Sequence, residues 1–347
     1  MKLSLLDAFE HSPTGDSAAT LRESLAWARY AEAAGVHRYW VVEHHNVAFE
    51  ACPAPEIMIA ALASATTRMR IGSGGILLNN YSPYKVAELG RSLSALYGDR
   101  IDLGFGRSVS GPGPDLALQR LRGSDPGDDQ AGQIAELVGW LSGRPDATRG
   151  QERCRLPQQH PGFTGMAIMP DLKIAPEAWL LAGSAASGAL AGRLGLSLAC
   201  SGFHRPELIP EITAAYRAAF RPRETAGAPQ QPRIMLALMG AVAGTEEEAQ
   251  HLFLPMRMAN ELRRSTGQIL PHLPTTAAAL AHYGGALPGP DPLSDRFTIC
   301  SAGALRARMT RLREAHGIEE LLFRPGIAGP DDRRRMTDLL LGSISGL

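Results

Sequence analysis

Residues 69–105 read MRIGSGGILLNNYSPYKVAELGRSLSALYGDRIDLGF, and this stretch decides the fold. Met69 to Ser73 is a short run of apolar and small residues, the mark of a buried strand. From Tyr84 to Tyr97 the residues Val86, Leu89, Leu93 and Leu96 recur at spacings of three, four and three, which lines one helix face, and Gly98 closes the helix. Ile101 to Phe105 is a second apolar run. A strand, a helix and a strand in that order place two parallel strands side by side, with the helix crossing over them.

The same rhythm extends in both directions. Upstream, Leu3 to Leu6 and Tyr39 to Val42 read as strands, and Ala18 to Ala34 and Glu56 to Thr66 as helices. Asp16 or Ser17 caps the first helix and Gly35 ends it. Downstream, strands are expected at Ala178 to Ala182, Leu196 to Cys200, Ile234 to Val242 and Leu321 to Phe323. Helices are expected at Gln130 to Leu141, Ser184 to Leu194 and Pro206 to Phe220, from Thr245, at Ala302 to Ala315 and from Asp331. Eight strands alternating with helices predict an α/β chain closed into a (β/α)8 TIM barrel. The open doubly wound alternative needs a GxGxxG turn after a strand. Gly72-Ser73-Gly74-Gly75 and Gly104-Phe105-Gly106 both lack the third glycine. Two irregular stretches interrupt the pattern: 108–177, an insertion after strand four around one helix, and 264–300, a Pro/Gly-rich candidate mobile lid after the strand-seven helix. Without them the length falls close to the roughly 250 residues of one barrel. The 347 residues therefore predict a single domain, 1–347, with loop insertions.

Composition removes several function classes. Basic and acidic residues balance at 35 each, so no surface for nucleic acid or anionic lipid is indicated. Only three of the basic residues are lysines, which leaves cationic recognition to arginine. Cys52, Cys154, Cys200 and Cys300 are too scattered for a CxxC motif and read as reduced packing residues of a cytoplasmic protein. Asp7 and Glu10 interrupt the N-terminal apolar run before a signal-peptide core is complete. The longest apolar stretch, Ile234 to Gly244, is shorter than the roughly 20 residues of a membrane span.

In a barrel the chemistry sits at the C-terminal strand ends. After strand two stands Glu43-His44-His45-Asn46. On extended backbone Glu43 and His45 share one side while His44 points to the other, which argues against a metal held by all three. Such a histidine suits proton transfer near neutral pH, although capping of loop carbonyls would also explain the pair. After strand three, Gly72-Ser73-Gly74-Gly75 leaves bare backbone for a flat ligand, or simply a tight turn. After strand four, Gly104-Phe105-Gly106-Arg107 offers a guanidinium fork for phosphate. After strand five, Gly183-Ser184-Ala185-Ala186-Ser187 opens a helix, and its free N–H groups and hydroxyls make either an anion site or a plain N-cap. A phosphate grip, a glycine platform and a histidine pair around one mouth fit flavin mononucleotide.

These segments resemble the bacterial luciferase-like flavin-dependent monooxygenases. The resemblance rests on Val42 to Asn46, Arg70 to Leu78, Ser82 to Glu88, Gly98 to Gly104 and Leu181 to Ser184, in that order, and covers most of Lys2 to Pro206. Within the family the chain is similar to single-chain actinobacterial members of the kind that tailor antibiotics such as mensacarcin. The resemblance implies a TIM barrel that uses reduced FMN supplied by a separate flavin reductase, with O2 as co-substrate, to insert one oxygen atom into a small organic substrate through a flavin C4a-peroxide. It implies His44 as the catalytic histidine, with His45 and Glu43 ordering the same loop. Gly74-Gly75 would be a cis peptide under the flavin ring, with Gly106 beside it. Arg107, Gly183, Ser184 and Ser187 would hold the phosphate, and Ser201 would approach the ring. A homodimer through the Glu56 to Thr66 helix is implied as well. Two departures stand out: Gly106 replaces the reactive cysteine of luciferase, and Gln130 stands near the place of luciferase's second phosphate arginine, which implies weaker FMN retention. The alternatives are a deazaflavin- or NAD(P)H-linked oxidoreductase on the same barrel and a non-catalytic flavin-binding protein.

Overall fold

The computed structural model describes residues 1–11, 15–106, 112–118, 129–142, 166, 168–289, 294–327 and 329–347. Its strands are β1 (Lys2–Asp7), β2 (Arg38–Val41), β3 (Arg70–Leu77), β4 (Ile101–Gly106), β5 (Glu177–Ala182), β6 (Ser197–Ser201), β7 (Ile234–Ala243), β8 (Thr298–Ser301) and β9 (Glu320–Pro325). Its helices are α1 (Ser17–Ala34), α2 (Pro55–Ala65), α3 (Pro83–Tyr97), α4 (Pro112–Leu118), α5 (Gln130–Ser142), α6 (Ala185–Arg193), α7 (Ile209–Ala219), α8 (Glu246–Thr266), α9 (Thr276–His282), α10 (Ala302–His316) and α11 (Pro330–Ile344).

The strands pair in the order β1 to β7, then β9, and β9 pairs back to β1, every pairing parallel. This is the closed eight-stranded (β/α)8 barrel expected from the alternation. β8 lies outside the ring and pairs with the far end of β7, Gly240 opposite Thr298 through Ala243 opposite Ser301. It falls in the 264–300 stretch read as irregular, as do α9 and the end of α8. That segment is thus partly helix and strand, where the sequence showed only its prolines and glycines.

Helix ends follow local chemistry. Asp16 accepts a hydrogen bond from the Ala19 N–H at the start of α1, and Gly35 ends it at φ 95°, a left-handed conformation that glycine adopts without Cβ strain. Thr245 caps α8, whose first turn carries Glu246, Glu247 and Glu248 at the positive end of the helix dipole.

Side-chain alternation divides the core in two. Tyr39, Val41 and Leu180 face the helices, whereas Leu6, Trp40, Trp179, Ala199, Met235 and Leu322 form a separate cluster inside the barrel. Trp40 and Trp179 meet edge to face at 5.5 Å. Glycines in β3 make room for Trp40, and a glycine in β4 makes room for β3 itself. A Cβ on Gly72 would lie 2.9 Å from Trp40 Nε1, and one on Gly104 would lie 2.1 Å from the Ser73 carbonyl oxygen.

Below the tryptophans, at the N-terminal strand ends, charge fills the barrel. Arg38 donates to Asp102 at 2.7 Å, Glu177 at 3.2 Å and Glu320 at 2.8 Å. Arg70 joins Asp102, and Arg233 joins Glu177 at 2.5 Å. Arg38, Asp102 and Glu320 are buried. Burial works against the Asp102 carboxylate, but Arg38 and Arg70 outweigh it and hold its pKa below the ordinary range. Burial pushes the Glu320 pKa up, against the opposing pull of Arg38 and of the Ser4 hydroxyl that donates to it. Paired charges fill this end as a plug.

Candidate active site

The opposite end of the barrel carries the sequence-expected residues. β2 ends at Val41, so Glu43, His44 and His45 lie just beyond it on irregular backbone. Their division into two directions is nonetheless as expected. Glu43 is buried and pairs with His45 Nε2 at 2.9 Å, while it also accepts from the Leu77 N–H at 2.9 Å and the Tyr81 hydroxyl at 3.0 Å. Burial and the Glu43 charge push the Tyr81 hydroxyl pKa well up, so it stays a donor. Glu43 thereby ties the β2 loop to the end of β3.

His44 turns to the other side, where its Nδ1 lies 2.7 Å from Glu50 Oε2. Glu50 also accepts from Arg324 at 2.9 Å, and the same Arg324 nitrogen donates to Glu10 at 3.0 Å. Burial penalises the Glu50 carboxylate, but His44 and Arg324 outweigh it and hold its pKa below the ordinary range. For Glu10 burial wins over Arg324 and Arg333, and its pKa rises. Glu10, Glu50 and Arg324 are functional-site neighbours that the strand-end reading passed over. Arg324, at the end of β9, occupies a position of the kind already singled out on the other strands. Glu50 lies in a loop and follows no motif spacing.

The Gly74–Gly75 peptide bond is cis, the geometry that the resemblance implies. It lies within β3, which runs to Leu77 instead of ending at Ser73, because β3 stays paired with β4 through a register shift between Gly74 and Ile76. Leu77 stands opposite Gly106. A Cβ on Gly106 would come 3.3 Å from Leu181 Cβ, so this rim is bare backbone by construction. Arg107 lies outside the described residues.

At the end of β5, Ser184 caps α6. Its Oγ accepts from the Ser187 N–H at 3.2 Å and lies 3.1 Å from Ser187 Oγ. The N–H groups of Ala185 and Ala186 begin the helix and have no carbonyl partner within it. A Cβ added to Gly183 would meet nothing within 4 Å, so open space adjoins these donors. Ser201, at the end of β6, bonds His204 Nδ1 at 2.7 Å. Burial lowers the His204 pKa, and Arg296, Arg324 and His44 lower it further, which favours a neutral ring. His204 is a further mouth-side imidazole that the sequence reading did not single out.

The donor set suits a phosphorylated planar ligand. Hydroxyls and open amides at one helix start match an anion, and the glycine rim of β3 and β4 matches a flat ring. Among the described residues no cluster of three or more His, Cys, Asp or Glu is arranged to hold a metal ion. None of the described helices is long and apolar enough to cross a membrane.

Known proteins with this architecture share the sequence features as well. The family model described as luciferase-like monooxygenase matches residues 1–320. The chain belongs to the luciferase-like monooxygenase family and is an enzyme of the monooxygenase class. It is 36% identical over 270 residues to a luciferase-like monooxygenase of Escherichia coli, covering 75% of this chain and 72% of that one. It is 31% identical over 252 residues to an N-acetyl-S-alkylcysteine monooxygenase of Bacillus subtilis, covering 72% and 70%. The crystal structure of apo-MsnO8 superposes with a TM-score of 0.84 at 35% identity, covering 99% of this chain and 98% of that chain.

Proposed function

We propose that the protein is a reduced-FMN-dependent monooxygenase that inserts one atom of O2 into a small organic substrate, the flavin being supplied by a separate reductase. The observation that supports this most is the convergence, at one barrel mouth, of the Ser184 helix start, the bare Gly74-Gly75 and Gly106 rim, and a carboxylate-paired His44. Ser184, Ser187, the Ala185 and Ala186 amides, Gly183 and Arg107 would hold the phosphate. Gly74, Gly75 and Gly106 would face the ring, with Ser201 near its edge and Glu43 and His45 fixing the loop beside it. When bound, FMN supplies the oxygen-activating chemistry that no side chain can.

The chain's own work is to orient the ring, exclude water and manage one proton. His44 Nδ1 is engaged by Glu50, which leaves Nε2 to accept or return a proton at the mouth. Buried Leu6, Trp40 and Trp179 close the barrel beneath the rim and keep solvent from entering below. A homodimer through α2, on which Ile57 is 63% exposed, belongs to the same reading.

The test pairs binding with turnover. FMN should bind more tightly than riboflavin, because only FMN carries the phosphate, and photoreduced FMN should drive oxygen incorporation into an N-acetyl-S-alkylcysteine or a related thioether used as probe. His44→Ala should keep FMN affinity while oxygenation falls on the order of 10²-fold or more. Equal affinity for FMN and riboflavin would sink the phosphate assignment, and unchanged oxygenation in the variant would remove His44 from the reaction.

A further inference from the structure

Glu50 reaches His44 from the far side of a loop, and its surroundings show what it is for. The loop itself is held by backbone: Glu10 and Glu50 form an antiparallel bridge, the His11 N–H donates to the Phe49 carbonyl at 2.7 Å, and the Ala51 N–H donates to the Phe9 carbonyl at 2.9 Å. Those bonds tie the β1 and β2 loops together without any side chain. The Glu50 carboxylate is therefore free of that task, yet its side chain is only 4% exposed and both oxygens are engaged, one by His44 and one by Arg324. Arg324 in turn is held by Glu10, and Arg333 donates to the Glu10 carbonyl at 3.3 Å. One Arg324 nitrogen thus bridges Glu10 and Glu50, and a buried guanidinium held by Glu10 holds the carboxylate on its other side.

We infer that Glu50, itself oriented by Arg324, is the positioning residue of His44 and sets its tautomer so that Nε2 presents a lone pair to the barrel mouth. An ionised carboxylate only accepts hydrogen bonds, so the ring nitrogen facing it must carry hydrogen. Among the described residues the other groups at this end do not compete for Nδ1. Glu43 is taken by His45, Tyr81 and Leu77, His204 is turned to Ser201, and Arg324 and Arg296 are cations without lone pairs. This assignment deepens the monooxygenase reading and rests on it for the proton's purpose, though not for its place on the ring.

Nitrogen-15 spectra of the full chain with no flavin added, in alkaline buffer, test it directly, with His44→Ala used to assign the ring. In the wild type His44 should show a protonated Nδ1 and an unprotonated Nε2. Glu50→Gln should turn the ring over to Nε2–H, because Arg324, which can only donate, takes the single amide carbonyl and leaves the NH2 group facing Nδ1, whereas Glu50→Leu should give a mixture with substantial Nε2–H. With photoreduced FMN, Glu50→Leu should lower the kcat of oxygenation by about 10- to 100-fold at unchanged FMN affinity, and Glu50→Gln should lower it at least as far. An Nε2–H tautomer in the wild type, or an unchanged ring in Glu50→Leu, overturns the inference. Should Glu50→Leu not fold, the wild-type spectrum still decides it. Absence of any oxygenation by the wild type would count against the monooxygenase reading alone and leave the tautomer result standing.

Discussion

Ser184 has two tasks in one hydroxyl. As N-cap it accepts from the Ser187 N–H, and as part of the proposed anion site it stands beside open amides. The two tasks separate in the Ser184→Ala variant. Loss of a cap costs about 0.5–2 kcal/mol, so the unfolding midpoint should fall modestly, while the preference for FMN over riboflavin should shrink by more than any change in riboflavin affinity. Equal loss for both ligands would assign Ser184 to the cap alone. At this scale the sequence was a good guide where neighbours in the chain are neighbours in space. Glu43, His44 and His45 divide into two directions as extended backbone requires, and Ser184 caps the helix it precedes. It was a poor guide to Glu50 and Arg324, which meet across 274 positions. Pairings of that separation have no periodicity and no spacing rule.

Among the elements, β3 and β4 carry a tight steric requirement. Their glycines lie inside paired strands and not after strand three, where the sequence offered a platform or a tight turn, and at Gly72 and Gly104 the barrel admits no Cβ. Gly104→Ala should force β3 from β4, since its Cβ would lie 2.1 Å from the Ser73 carbonyl. Overpacking of this kind costs about 1–3 kcal/mol or more, measurable by urea unfolding, and wild-type stability in the variant would refute the crowding. Gly183→Ala is the contrast, with no atom within 4 Å of the added methyl, and should leave stability nearly unchanged. The eight barrel strands were legible because their apolar runs are flanked by helical periodicity. β8 was not, since its four residues, TICS, include only one buried residue and adjoin a stretch of prolines and glycines. α9 is only seven residues long and has no apolar stripe of useful length. Short elements that depend on neighbours leave little trace in the chain.

For the whole molecule, the barrel separates a charged end from a functional one. Asp102 is the pivot of the charged end, bonded to Arg38, Arg70 and Trp40 with no exposure. Asp102→Asn should destabilise the fold by about 3–5 kcal/mol, because it leaves Arg38 and Arg70 one carboxylate short, with only Glu177 and Glu320 to balance them in the barrel. The pH dependence follows from the same contacts. A carboxyl whose folded pKa is depressed contributes stability that is present above its unfolded value, here near the ordinary 3.8, and lost as pH falls through the folded one. Asp102 and Glu50 both act in that sense, so acid unfolding should steepen below about pH 4 and flatten in Asp102→Asn. Glu320 has the opposite sign, its share being full in acid and lost as pH rises through its raised value. A flat acid limb in the wild type would rule out this account.

The ionic plug also makes the barrel a well with a floor. The described residues close the N-terminal end with Arg38, Asp102 and Glu320 and, above them, Trp40 and Trp179. Whatever enters must come and go through the same mouth, so two ligands cannot load in either order if one rests beneath the other. The deeper one has to arrive first and depart last. For two ligands stacked in that way the plug would impose an ordered steady-state sequence, in which a molecule that lodges above the rim traps what lies below it.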